Sequence, residues 1–101
     1  MIKVYYKKVD GIIKSVELSG HAMFDENGKD IVCAGVSTAL TTTINAILTF
    51  DNHAIEYKED KIFIVENIKK DNITNKLLEN FIDILKQIEC KYKKNIIVKE
   101  R

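Results

Sequence analysis

Met1-Ile2-Lys3-Val4-Tyr5-Tyr6-Lys7-Lys8-Val9-Asp10-Gly11-Ile12-Ile13-Lys14-Ser15-Val16-Glu17-Leu18-Ser19 reads as two β-rich runs, Met1 to Lys8 and Gly11 to Ser19, folded about Val9-Asp10-Gly11. Asp-Gly supplies the positive backbone angles that a tight hairpin turn needs. A hairpin therefore opens the fold, and the rest is placed outward from it. Residues His21 to Lys29 are polar and turn-forming, with Asp25, Glu26, Asn27 and Gly28 offering little to bury. From Asp30 a helix is expected to about Phe50, because Val36, Leu40, Ile44 and Ile47 recur at helical spacing. Asp51-Asn52-His53 breaks it, and Ala54 to Lys58 with Ile62 to Glu66 form a second hairpin around Glu59-Asp60-Lys61. A second helix begins near Asn72 or Thr74, either of which can serve as its cap. Its apolar face runs through Leu77, Leu78, Phe81, Ile82, Leu85, Ile88 and Tyr92, and should lie on a sheet. Ile96-Ile97-Val98 is a short β-branched last strand. The order ββαββαβ implies a two-layer α+β domain, with a mostly antiparallel sheet of about five strands and two amphipathic helices.

The 101 residues make one domain, 1–101, with no repeat, linker or low-complexity segment. An apolar share of 46% beside 31% charge is that of a globular chain rather than a disordered or fibrous one. With no proline, turns fall to Asp, Asn and the four glycines. Sixteen basic against fifteen acidic side chains give a formal charge of +1, so no overall field draws the chain to nucleic acid, and direct nucleic-acid binding is not expected. The N-terminus lacks the apolar core of a signal peptide, and no stretch is expected to approach the apolar run of a membrane helix. A cytoplasmic protein follows. Two cysteines in unlike surroundings are expected to stay reduced.

Chemistry concentrates where Gly20-His21-Ala22 ends the second strand and Cys33-Ala34 follows near the start of the first helix. A thiol attacks a carbonyl as thiolate, and a nearby imidazole can take its proton and return it to a leaving group. Cys33 has two readings. It falls within about 20° of the centre of the helix's apolar stripe, as a small core thiol would. It also lies in the first turn if Asp30 caps the helix, where unpaired amides and the positive end of the macrodipole favour an anion and can hold an oxyanion. Asp30 as an N-cap has a sufficient structural role of its own. Ser37, one turn after Cys33, is either a packing residue or a hydroxyl near the thiol. His53 lies beyond the far end of the helix, about 25 Å away at 1.5 Å per residue, and cannot serve Cys33 within one subunit. Cys90 faces away from the second helix's apolar side and reads as an idle surface thiol. No Cys-x-x-Cys or His-x-x-x-His spacing suggests a metal, and no cofactor is implied.

Gly20-His21-Ala22, Gly28 and Asp30-Ile31-Val32-Cys33-Ala34-Gly35-Val36-Ser37 together resemble the signature of the ribosomal-processing cysteine proteases, the Prp family. The size and element order match over the whole chain. The resemblance implies a small homodimeric cytoplasmic endopeptidase that removes a short N-terminal extension from a large-subunit ribosomal protein, the twenty-seventh, cutting after an aromatic residue. It places the nucleophile on Cys33 and the histidine on His21, with Asp30 and Ser37 at accompanying motif positions. The segment Ala22 to Lys29, bracketed by Gly20 and Gly28, is then expected to act as a lid on hinges at those two glycines. The implied partner is the N-terminal peptide of a ribosomal protein precursor.

Two other classes use the same residues differently. A non-catalytic ribosome- or RNA-associated adaptor needs no thiol. A redox or acyl-transfer protein uses Cys33 but cuts no peptide.

Overall fold

The computed structural model describes residues 1–20 and 29–101, with the side chains of Lys29 and Asp30 outside the described set. The expected order is found: β1 (Ile2–Val9), β2 (Ile12–Ser19), α1 (Lys29–Phe50), β3 (Ile55–Glu59), β4 (Phe63–Asn67), α2 (Asn72–Lys91) and β5 (Ile96–Glu100). The five strands form one sheet in the order β3-β4-β2-β1-β5. Three of its pairings are antiparallel, and β1 with β5 is parallel, so the sheet is mixed. The parallel pair follows from connectivity, since β4 reaches β5 by way of α2, and a helical crossover is how parallel neighbours are joined.

Asp10 and Gly11 both take positive φ, 54° and 77°, as the two-residue hairpin turn demands. The register then shifts between Lys7 and Lys8, a bulge near the hairpin end. Across the sheet, Val4 faces Leu18 and Val98, and Val16 faces Tyr6 and Val65, all of them buried. Period-two alternation thus puts one face of the sheet under the helices. Phe81, Leu78, Leu85 and Ile82 of α2 close the core from above, joined by Val32, Val36, Ile44 and Ile47 of α1. Each such burial contributes about 1.5–3 kcal/mol before conformational entropy is charged.

The cap of α2 differs from expectation. Asp71, not Asn72 or Thr74, precedes the helix in extended conformation and accepts the Thr74 amide at 3.0 Å. Thr74 and Asn75 are instead buried inside the first turns. A carboxylate one residue earlier satisfies the same orphan donor and also meets Lys69. At the sheet's other edge, Glu89 of α2 accepts the Val98 amide at 2.8 Å, which satisfies a donor of edge strand β5.

Helix α1 corrects another expectation. Ile31–Phe50 contains no charged residue and is long and apolar enough to cross a membrane, by length and composition. Five threonines, Ser37 and Asn45 interrupt its apolar run without adding charge. Only Val32, Val36, Ile44 and Ile47 of these twenty residues are fully buried. Ile31, Ala34, Thr38, Thr41, Asn45 and Thr49 form an exposed stripe on the opposite side.

Candidate active site

The first helix begins at Lys29, one residue before the expected start, so Asp30 is its second residue and not its cap. Cys33 is accordingly the fifth residue. In α register its own amide reaches back to the Lys29 carbonyl, and the donors without an intrahelical acceptor are those of residues 29–32. An oxyanion held at this helix end would therefore use the amides ahead of the thiol. Cys33 is half-buried and packs against the core without being sealed in it. The stripe reading holds in part, since Cys33 lies on the apolar side yet opens to a surface groove, whereas the first-turn reading does not, because the helix starts one residue early and Cys33 is past its unpaired amides.

That groove, of about 240 Å³, is built by α1, the end of β2, the β3–β4 hairpin and Ile2 of β1. Cys33, Ser37 and Leu40 come from one side of α1; Leu18 and Gly20 come from the end of β2; Glu59, Asp60 and Phe63 come from the β3–β4 hairpin. Helical spacing aligns Cys33 with Ser37 one turn on, and Ser37 is exposed. Gly20 has φ +78°, and a β-carbon placed there collides with the carbonyl oxygen of Met1. Two separate constraints thus demand glycine at the strand end that leads to His21.

His21, Ala22 and Gly28 lie outside the described residues, as does the Asp30 side chain. The expected lid, Ala22 to Lys29, falls there too apart from the backbone of Lys29. The structure brings together Gly20, Cys33 and Ser37 of the predicted set. His53 stands three residues beyond the end of α1, exposed, its amide donating to Asp51 at 2.9 Å. The unbroken helix keeps it roughly 25 Å from the thiol, as expected. Cys90 is exposed on α2. Among the described residues no cluster of three or more His, Cys, Asp or Glu side chains is placed to hold a metal.

The residues missed by sequence reasoning are Leu18, Glu59, Asp60 and Phe63. They reach the thiol only through the β2–β4 pairing, Leu18 to Phe63, a long-range contact with no local signal. A larger hollow of about 640 Å³ runs along edge strand β3 beside Leu48, Ile55 and Tyr57. It contains no cysteine, so the smaller groove is the better site despite its size.

Charge is ordered at the opposite end of α1. A hydrogen bond from Lys69, 2.8 Å away, and the His53 amide hold the Asp51 carboxyl below its ordinary range. The Thr74 hydrogen bond and Lys69 do the same for Asp71, while Asp51 raises the Lys69 ammonium.

The mixed sheet under two helices, with a thiol open to a groove at the helix head, is that of a cysteine protease domain. The sequence profile described as Cysteine protease Prp matches residues 1–97, and the chain belongs to that family. A ribosomal processing cysteine protease Prp of Staphylococcus aureus is 35% identical over 91 residues, covering 86% of each chain. The crystal structure of an essential ribosomal processing protease Prp from S. aureus with a covalently linked product peptide superposes with a TM-score of 0.89 at 30% identity, over 100% of both chains. Its complex with a substrate peptide gives 0.90 at 29%, again over 100% of both.

Proposed function

We propose that this chain is the endopeptidase that trims the N-terminal extension of a large-subunit ribosomal protein, the twenty-seventh, with Cys33 as nucleophile and His21 as general base and acid. The observation that carries the assignment is the groove shared by Cys33 and Gly20, because His21 is the next residue after Gly20. The relatives named for ribosomal processing, and the peptides bound in the S. aureus structures, support a peptide substrate.

In this reading His21 takes the Cys33 proton, and the sulfur attacks the scissile carbonyl carbon. The carbonyl electron pair moves to oxygen, facing the amides of residues 29–32. Collapse breaks the C–N bond, the imidazolium protonates the departing amine, and water hydrolyses the thioester to a carboxylate and free thiol. Ser37 faces the same groove, within one helical turn of the sulfur, and Asp30 sits in the first turn of α1, where its acidic charge suits the helix start. The enzyme works in the cytoplasm, where its thiols stay reduced.

The same proposal includes a homodimer. Its support is the uncharged exposed stripe of α1, in a chain where almost one residue in three is charged. A face without charge needs no opposite charge on its partner and is self-complementary in a two-fold pairing.

The test is cleavage of a synthetic peptide carrying a hydrophobic, Phe-containing N-terminal extension, followed by mass spectrometry. A single cut, lost in Cys33→Ala and in His21→Ala with folding intact, is expected. Cutting that survives either substitution removes that residue from the mechanism.

A further inference from the structure

The net charge of +1, from which no nucleic-acid binding is expected, hides a sorted surface. In β1 and β5 the residues Ile2, Val4, Tyr6, Ile96 and Val98 are buried under the helices, so the alternate positions 3, 5, 7, 97 and 99 stand on the other face of the sheet. Parallel register puts Lys99 beside Tyr5 and Ile97 beside Lys3. Strand β1 carries no acidic residue, and the one acid of β5, Glu100, pairs with Tyr6 and so falls on the helix side. Lys3, Lys7, Lys99 and Arg101 are all exposed. The partners of Lys3 and Lys7 on β2 are Ser19 and Ser15, which bring hydroxyls and no charge. Glu17, opposite Tyr5, borders the group, but it meets Arg101 only at 3.7 Å in an exposed pair. The Arg101 amide donates to the Tyr6 carbonyl at 2.7 Å, and its guanidinium lies 3.9 Å from the centre of the Tyr5 ring. That arginine side chain remains 54% exposed. Four cations therefore surround a stacked, planar pair on an open sheet.

We infer that the β1–β5 half of the open sheet face binds single-stranded RNA, with Lys3, Lys7 and Lys99 on phosphates and the Arg101 guanidinium, seated on Tyr5, as the plane on which a base stacks. Spaced lysines answer a chain of regularly spaced negative charge, and the Tyr5–Arg101 stack answers flat rings. A single nucleic-acid strand brings both, whereas a duplex keeps its rings paired inside. Lys3 and Lys7 lie four residues apart on one strand, about 13 Å at strand rise, so the group follows a backbone and does not converge on one ion. The hydroxyls of Ser15 and Ser19 beside these two lysines favour RNA, because they can bond the 2′-hydroxyl that DNA lacks. A formal charge near zero is no obstacle, since counterion release depends on the cations in contact with phosphate and not on the sum over the chain. The face lies across the sheet from α1 and Cys33, so the inference stands apart from the cysteine chemistry, and one chain can hold RNA and a peptide together.

The experiment titrates the full chain into a fluorescein-labelled uridine dodecamer and follows anisotropy over a range of salt. Saturable binding is expected, with the logarithm of the association constant falling against the logarithm of salt at a slope of about −2.8, from four cations at about 0.7 each. Lys3→Gln/Lys99→Gln should bring the slope to about −1.4 and weaken binding at low salt at least tenfold. Arg101→Lys keeps the charge and loses the plane, so it should keep the slope and weaken binding about tenfold. Lys76→Gln/Lys91→Gln removes the same charge from exposed positions on α2 and should leave both affinity and slope at the wild-type values. All of these side chains are exposed, so circular dichroism and melting temperature should stay those of the wild type. A deoxyuridine dodecamer should bind several-fold more weakly. The inference is overturned if the uridine dodecamer does not bind at low salt, or if the α2 variant loses as much affinity as the β1–β5 variant. It is overturned equally if the deoxyuridine dodecamer, polyglutamate or anionic phosphatidylserine vesicles bind as well as the RNA.

Discussion

Gly20 lies so close to the carbonyl oxygen of Met1 that any β-carbon at position 20 would overlap it, and its φ of +78° is one that L side chains avoid. The end of β2 is therefore locked against the start of β1 by a residue with no side chain. That lock sets the direction in which the chain leaves the sheet toward His21.

Gly20→Ala should accordingly damage function more than packing. The left-handed angle alone costs about 1–2 kcal/mol for a non-glycine residue, and relief of the overlap requires Met1 or the strand end to move. Peptide cleavage is expected to fall at least tenfold while the circular dichroism spectrum stays that of a folded chain. Unchanged cleavage would show that the strand end does not position the site.

Asn75 and Asn67 grip one residue of β2 from two elements. Asn75 Oδ1 accepts the Ile13 amide at 2.8 Å, and Asn67 Nδ2 donates to the Ile13 carbonyl at 3.0 Å. The β2–β4 ladder ends at Ser15, so these side chains satisfy the buried backbone of Ile13 where strand pairing with β4 has stopped. Asn75→Ala leaves a buried N–H unpaired and should cost about 1–3 kcal/mol in urea unfolding. Loss of less than half a kilocalorie, at unchanged denaturant slope, would mean water replaces the amide.

Acid should weaken the fold through Asp51 and Asp71. Both carboxyls titrate below their ordinary range in the folded chain, Asp51 through Lys69 and Asp71 chiefly through Thr74. A depressed folded pKa gives stability that is present above the unfolded value of 3.8 and is lost as pH falls through the lower folded value. The urea midpoint should decline below about pH 4, and Asp71→Asn should flatten that decline. Lys69 works in the other direction: its raised pKa makes its contribution full below 10.5 and lost only at higher pH. A wild-type acid limb that persists unchanged in Asp51→Asn/Asp71→Asn would assign it to other carboxylates.

The exposed stripe of α1 gives the proposed dimer a direct handle. Thr38→Arg with Asn45→Arg places like charges on a surface that carries none, and both positions are exposed in the single chain. Sedimentation equilibrium should move from dimer to monomer with the melting temperature of the domain little changed. A wild-type chain that is monomeric at high concentration, or that partitions onto lipid vesicles, would contradict the proposed pairing.

What the sequence made legible was local. Asp10-Gly11 fixes its own turn, and the 3.6-residue spacing of Val36, Leu40, Ile44 and Ile47 marks α1 within one residue of its start. The Asp71 cap was missed by one position because Asp71, Asn72 and Thr74 all have capping side chains, and only the backbone angles choose among them. The parallel β1–β5 pairing and the placement of Phe63 beside Cys33 depend on contacts across more than twenty residues, which no periodicity reports. Cys33 is readable as a site residue through its motif, while its half-burial is not: the stripe argues for the core, and only the packing of β2 and the β3–β4 hairpin beside α1 opens a groove to the sulfur.

In the proposed reaction the sulfur of Cys33 is the atom that attacks the peptide. Incubating the full chain with a chloromethyl ketone built on a Phe-ending peptide, then mapping the adduct by tandem mass spectrometry, tests it directly. One adduct on Cys33 is predicted, formed equally in Cys90→Ala, absent in Cys33→Ala and slowed in His21→Ala. Labelling that favours Cys90, or labels both thiols alike regardless of the peptide sequence, would contradict it.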